Sequence, residues 1–286
     1  MLGILLVNKP VGITSHDAVY KIRRAFGTKR VGHAGTLDPI AQGLLVAAVG
    51  PATRFLQYLP LEPKEYLGVF KFGEETETYD TEGEVVETRP VPSDLDAQIA
   101  EQLPQFRGEI SQVPPMYSAV KKDGRPLYEY ARQGVEVERK SRQVYIEKFD
   151  QEGGEGDERQ FRIVCSGGTY VRTLAHDLGA AVGCGAHVVD LVRTQVGRFN
   201  LENAVDIDGL ANAKLIPLRE ALAPMEMVQM NETQVAYIRD GRTIQVRNAL
   251  SGKFAGLLDT AGDLISVARV DSVFLHPECV IPEAAP

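Results

Sequence analysis

The spacing of apolar residues changes along the chain, and each change marks an element. GILLVNK (residues 3–9) is almost continuously apolar and predicts a short buried strand. In TSHDAVYKIRRAFG, Val19, Ile22 and Phe26 return at helical spacing on one face, Thr14 or Ser15 can cap the start, and Gly27 can stop the end. A glycine-rich loop, GHAGTLDPIAQG (32–43), then leads into LLVAAVG, a second buried strand. ATRFLQYL reads as a short helix. EYLGVFKFGEETETYDTEGEVVE alternates on either side of turn residues, which predicts a hairpin with an acidic, exposed face. PSDLDAQIAEQL is a capped helix.

VPPMYSAVKKDGRPLYEYARQG breaks the pattern. Its diproline, Asp-Gly turn, short helix and density of tyrosines and basic residues predict an excursion from the sheet, about 112–142. VEVERKSRQVYIEKFD and FRIVCS read as strands on either side of a polar loop, QEGGEGDERQ. GGTYVRTLAHDLGAAVG reads as a helix and HVVDLVRTQVGRF as a strand. IPLREALAP (about 217–224) reads as a linker, so two domains are expected, 1–222 and a small, mostly β 223–286.

At 286 residues the chain can bury one large core and a smaller one. Its apolar runs are far too short to cross a bilayer, and its first residues lack the pattern of a secretory signal. Three scattered cysteines argue for reduced thiols, and a cytoplasmic protein is expected. The net charge of −8 argues against a polyanionic partner until its distribution is considered. Residues 1–54 hold seven Lys/Arg against two Asp/Glu, residues 55–110 four against thirteen, and residues 111–145 seven against four. Two basic segments thus flank an acidic one, and a basic face can coexist with an acidic total.

Asp38 precedes a proline, which pushes its backbone to an extended geometry beside small neighbours that leave room for a ligand. A turn aspartate bonded to its own backbone would look the same. Arg172 sits at a helix start, where a cation opposes the helix dipole; that placement calls for an anionic partner, or marks a solvated arginine. His33 and Tyr66 could stack on a ligand or pack in their own elements. Cys184-x-x-His187 has no second pair at zinc spacing, and neither GxxxxGK[ST] nor GxGxxG occurs, so no metal or nucleotide cofactor is expected.

Taken together and in order, GILLVNKPVGITSHD, VGHAGTLDPIAQGLL, PKEYLGVFKFGEETETYDTEG, VPPMYSAVKKDGRPLYEYARQG, CSGGTYVRTLAHDLG and CGAHVVDLVRT resemble the TruB-type tRNA pseudouridine synthases over essentially the whole chain. These enzymes isomerise uridine 55 in the T-loop of tRNA. The resemblance implies an α+β fold, a mixed, largely antiparallel sheet with a central cleft and flanking helices, followed by a PUA-like C-terminal domain. It implies that Asp38 is the catalytic aspartate, Tyr66 the tyrosine stacking on the target base, and Arg172 the arginine pairing with the aspartate. It further implies that His33 holds the flipped-out loop, that Lys9 belongs to the Lys-Pro motif, and that Leu191 lines the uracil pocket. Tyr117, Lys121, Lys122, Arg125, Tyr128 and Arg132 of the insertion are expected to grip RNA. The implied enzyme needs no cofactor, binds tRNA and no membrane, and works as a monomer without an obligate protein partner. A tRNA-folding chaperone would use the same basic segments but would not need Asp38. The guide-RNA-directed synthases share the core motifs, but the short C-terminal part and the form of the insertion favour a stand-alone enzyme.

Overall fold

The computed structural model describes residues 1–282. The first strand, β1 (Gly3–Lys9), lies antiparallel to β3 (Ala41–Val49), and β2 (Val31–Ala34) pairs antiparallel with residues 46–49 on the other edge of β3. Between β1 and β2 runs α1 (Ser15–Ala25), closed at its start by a capping box in which Thr14 and Asp17 exchange hydrogen bonds. Its apolar face, Val19 and Ile22, packs with Phe26 on Leu5, Val7, Ala47 and Val49.

Next come β4 (Lys64–Phe72), a small hairpin of β5 (Glu74–Thr76) and β6 (Val85–Thr88), α2 (Leu95–Gln102) and β7 (Gly108–Gln112). A two-stranded ribbon, β8 (Lys121–Lys122) and β9 (Arg125–Pro126), and α3 (Leu127–Ala131) form the insertion. The chain returns through β10 (Arg142–Gly153), β11 (Glu158–Cys165), α4 (Val171–Val182), β12 (Ala186–Val196), β13 (Phe199–Asn200) and β14 (Val205–Asp206). The main sheet has ten strands, in the order β14-β1-β3-β12-β4-β11-β10-β7, with β2 and β13 as side partners of β3 and β12. Helices α2 and α4 cover one face, burying Ile99, Leu174 and Leu178 against Phe70, Phe149 and Phe161.

The middle of this sheet positions the site. β12 is antiparallel to β4, with Arg193 opposite Tyr66 and Leu191 opposite Gly68. On its other edge β12 meets β3 in parallel over only three residues, Leu191–Arg193 against Ala41–Gly43. Gly43, at φ +103°, makes this junction possible: a Cβ there would lie 2.4 Å from the carbonyl oxygen of Arg193. The loop that enters β3, residues 35–40, is therefore held beside Leu191, one strand away from Tyr66.

Three local expectations are corrected. EYLGVFKF does not form one arm of a long hairpin; it is the central strand β4, with both edges taken by β11 and β12, and only Glu74–Thr76 pairs locally with Val85–Thr88. Gly73, at φ +93°, turns the chain out of the sheet after Phe72. QEGGEGDERQ is not all loop, because β10 and β11 extend through both of its ends to a tight turn. IPLREALAP contains a short helix, α5 (Leu218–Ala221), and Leu218, Ala221 and Leu222 are buried. Their neighbours come from two sheets. A second sheet holds β15 (Glu226–Gln229), β16 (Ile244–Gln245), β17 (Phe254–Leu258), β18 (Leu264–Asp271) and β19 (Phe274–Val280), with α6 (Glu232–Arg239) packed on it. Leu258, Leu264, Val267 and Cys279 of this sheet join Ile4, Leu6, Leu44, Val46 and Phe55 of the first in one apolar cluster.

Candidate active site

Two cavities adjoin along the loop before β3. The inner one, about 260 Å³, is lined by Asp38, Tyr66, Leu191 and Arg172, with Lys64 and Arg142 among the other walls. The outer one, about 440 Å³, is lined by His33, Asp80, Glu82, Tyr117, Tyr128 and Arg132. Thr36, Leu37, Asp38, Ser118, Ala119 and Arg172 line both, so the Asp38 carboxylate stands on their common wall.

The side chain of Asp38 is 34% exposed, that of Arg172 only 5%. Arg172 Nε lies 2.8 Å from Asp38 Oδ2, an ion pair without the alignment of a hydrogen bond. Its Nη1 lies 3.2 Å from Asp80 Oδ2 and donates to the carbonyl of Thr78 at 2.9 Å. Its Nη2 donates to the carbonyl of Tyr117 at 2.8 Å. One guanidinium at the start of α4 thus ties together the Asp38 loop, the hairpin and the insertion. The dipole of α4 disfavours a cation there, and two carboxylates compensate.

Asp80 is not marked out in the sequence, where its acidic surroundings predict an exposed face. The structure corrects this: Asp80 is buried, and Glu82 lines the outer cavity. Asp80 Oδ1 accepts hydrogen bonds from the Thr78 hydroxyl and, at 3.0 Å, from the amide of Glu82. The preceding residue, Tyr79, has φ +64° and stacks on His176 of α4 with ring centroids 3.9 Å apart. The usable signal was a lone Asp among glutamates, leading into the turn residues Thr81-Glu82-Gly83. Burial raises the pKa of Glu82, and the charges of Asp80 and Asp38 push it the same way.

Arg193, also missed, is fully buried. Its guanidinium donates to the carbonyls of Leu44 at 2.7 Å, Gly35 at 3.0 Å and Thr36 at 3.4 Å, bracing the Asp38 loop from below. Its signal was a charge two residues after Leu191 on a strand, hence on the inward face.

The other expected residues divide into two groups. Tyr66 is buried, with its phenol pKa raised by burial, and Leu191 is buried beside it. His33 is half-buried; burial lowers its pKa, and nearby Arg193 adds to the effect. Tyr117 and Tyr128 reach the outer cavity, and Arg132 lies over the Tyr128 ring at 5.4 Å. Lys9 reaches neither cavity: it is fully buried, with Nζ donating to the carbonyls of Pro10 at 3.0 Å and Ile13 at 2.7 Å. It fastens the turn before α1, and burial, the largest cause, lowers its pKa to about 8. Lys121, Lys122 and Arg125 stand on the ribbon outside both cavities. Lys122 donates to the carbonyl of Glu138, and Arg125 pairs with Glu129 at 2.9 Å. Among the described residues no cluster of His, Cys, Asp and Glu could hold a metal ion, and no helix is long and apolar enough to cross a membrane.

The chain that carries this cleft is similar to known proteins in fold and in sequence. A solved Cbf5-Nop10-Gar1 complex contains a chain that superposes with a TM-score of 0.72 at 25% identity, covering 98% of this chain and 85% of that one. A chain of the archaeal box H/ACA sRNP Nop10-Cbf5 complex gives 0.71 at 22% identity, covering 98% and 86%. The fold is that of the pseudouridine synthases. The sequence model of the TruB family pseudouridylate synthase N-terminal domain matches residues 23–171, and that of the tRNA pseudouridylate synthase B C-terminal domain matches 172–229. tRNA pseudouridine synthase B of Aeromonas salmonicida (strain A449) is 43% identical over 94% of this chain and 90% of its own. That of Burkholderia lata is 43% identical over 99% and 91%. The chain belongs to the TruB family of pseudouridylate synthases.

Proposed function

We propose that this protein is a tRNA pseudouridine synthase acting on uridine 55 of the T-loop, with Asp38 as its catalytic carboxylate. Family membership supports the reaction, and the relatives are named for tRNA. The observation that carries the residue assignment is the place of Asp38 on the wall common to both cavities, fixed by the buried Arg172. The uridine leaves the loop stack, at a cost of about a few kcal/mol. Stacking on Tyr66 returns roughly 1–3 kcal/mol. In the inner cavity the bond between ribose C1′ and uracil N1 breaks, the uracil turns, and C5 bonds to C1′. Asp38 acts at the sugar, as a nucleophile on C1′ or as acceptor of a ribose proton. Arg172 pairs with that carboxylate and aims it, and Leu191 packs on the detached ring.

RNA enters by the outer cavity, where His33, Tyr117, Tyr128 and Arg132 offer rings and charge to splayed bases and phosphates. Lys121, Lys122 and Arg125, on the ribbon beyond it, reach the RNA backbone rather than the base. The small second sheet serves as a PUA-like RNA-binding part of an enzyme that works as a cytoplasmic monomer.

The test is tritium release from a tRNA transcript carrying [5-³H]uridine, since only bond formation at C5 frees that hydrogen. Wild type should release tritium. Asp38→Asn should bind the transcript and release none, and a transcript with cytidine at the target should yield none with wild type. Binding without release by wild type would instead make the protein a tRNA-folding module.

A further inference from the structure

Two cations in the inner cavity, Lys64 and Arg142, make no ion pair among the described residues. Lys64 stands two residues before Tyr66 on β4, so both side chains project from the same face of the strand. It makes no ion pair or side-chain hydrogen bond among the described residues. Burial lowers its pKa, and nearby Arg193 lowers it further. The charge of nearby Glu62 acts the other way without closing an ion pair, and its carboxylate accepts from the amide of Gly167 at 3.0 Å. Arg142, at the start of β10, lies over the ring of Tyr170 at 4.4 Å. That tyrosine is itself pinned by Gln112, which accepts from its amide at 2.7 Å and donates to its carbonyl at 3.0 Å. Nε and Nη2 of Arg142 are buried with no hydrogen-bond partner. A guanidinium cannot shed its charge, and leaving its buried N–H groups unpaired is unfavourable. By contrast, Arg172 in the same cavity has two carboxylates.

We infer that Lys64 and Arg142 are catalytic residues that bind the carbonyl oxygens of the target uracil and take up its negative charge while it is detached from the sugar. The inference rests on the proposed synthase function. Asp80 and Glu82 line the outer cavity and not the inner one, where Asp38, paired with Arg172, is the one lining carboxylate against three cations, so the inner cavity is electrostatically suited to an anion. Tyr66 and Leu191 meet the faces of a flat ring there, which leaves its edge for the two cations.

The chemistry creates an anion at that point. When C1′–N1 breaks, the bonding pair stays on N1 and spreads to O2 and O4. On one route Asp38 has formed a bond to C1′; on the other it has taken a ribose proton. The charge disappears again when C5 uses a ring electron pair to bond C1′: on the first route the bond from Asp38 to C1′ breaks and its pair returns to the carboxylate, and on the second Asp38 gives the proton back to the ribose carbon; C5 then loses its proton and N1 is protonated. Cations aimed at O2 and O4 therefore stabilise the transition state for bond cleavage more than the bound uridine.

The test is single-turnover conversion of two tRNA transcripts, one with uridine and one with 5-fluorouridine at the target, by wild type, Lys64→Met, Lys64→Gln, Arg142→Met and Arg142→Lys. Base rearrangement is read by mass spectrometry of the digested RNA, and tRNA affinity is measured in parallel. Fluorine withdraws electron density, so the detached base needs less help from the protein. Lys64→Met, Lys64→Gln and Arg142→Met should bind tRNA within about threefold of wild type and convert uridine roughly 10²-fold more slowly, the loss typical of one preorganised donor. Their loss on 5-fluorouridine should be at least tenfold smaller, and Arg142→Lys should recover most of the rate. Equal losses on both substrates, or losses confined to affinity, would overturn the inference. Wild type that converts neither substrate would instead overturn the synthase reading.

Discussion

Arg172→Met removes the one cation that two carboxylates share while nearly preserving side-chain volume. At an effective dielectric of 20, the gross Coulomb attraction is about 6 kcal/mol for the 2.8 Å pair with Asp38 and about 5 kcal/mol for the 3.2 Å pair with Asp80. Desolvation of the charges cancels much of this. The two partners then differ. Asp38, with its side chain 34% exposed, can be rehydrated, whereas Asp80, with its side chain 2% exposed, is left as a buried unpaired charge. Loss of one partner of a buried pair costs about 3–5 kcal/mol. The carbonyls of Thr78 and Tyr117 also lose their donor. With a urea slope near 3 kcal/mol/M, the unfolding midpoint should fall by about 1–1.7 M. Adding Asp80→Asn removes the stranded charge, so the double variant should recover at least half of the lost stability. It should still fail to turn over, because Asp38 remains unaimed. Urea unfolding by circular dichroism and single-turnover tritium release read the two effects separately. A single variant as stable as wild type, or a double variant that regains turnover, would refute the network.

Gly43→Ala would drive a Cβ to 2.4 Å from a backbone oxygen of β12 at a φ of +103°, so a loss of roughly 3 kcal/mol or more in urea unfolding is expected, with lower turnover as the β3–β12 junction parts. Lys9 has a folded pKa of about 8, below its usual 10.5, so between these values the unfolded chain holds a proton that the folded chain has released. Its contribution to stability therefore rises with pH across that window, by at most about 3 kcal/mol, and the difference between wild type and Lys9→Met should grow from pH 8 to 10.5. A flat difference would show that Lys9 is not desolvated. Tyr79→Gly gains about 1–2 kcal/mol from relief of its left-handed backbone and loses about 0.5–1.5 kcal/mol of ring stacking on His176. Its melting temperature should barely move while its single-turnover rate falls, since the residue before Asp80 is no longer braced; an unchanged rate would disprove the bracing.

Much of this could be read from the chain because it was written locally. The strand GILLVNK, the Thr14 cap and the apolar face of α1 are short-range patterns, and the pseudouridine synthase fold followed from ordered motifs. Asp38, Tyr66, Arg172 and Leu191 were each visible, and the sheet order gathers them at one cavity. What was illegible depends on distant contacts. A buried Asp80 and a solvated glutamate carry the same mark in an acidic run. Only α4, the left-handed Tyr79 and the bridge to Val188 make the difference. The anchoring of Lys9 was illegible because it depends on two carbonyls of the next turn, which take its ammonium. β4 was misread as a hairpin arm because alternation says which face is buried and not which strand lies alongside.

The apolar cluster common to both sheets has a mechanical consequence. Leu218 and Leu222 interlock with Leu258, Val267 and Phe55, Tyr58 meets Phe254 edge-on at 5.0 Å, and Arg54 donates to the carbonyl of Val280 at 3.1 Å. The small sheet is thus not a tethered arm free to swing; it is clamped to the back of the strands that carry the cleft. With the proposed function, the two parts would act as a caliper whose spacing is set by this packing, and an RNA spanning both would have to match it through its own stem length and bend.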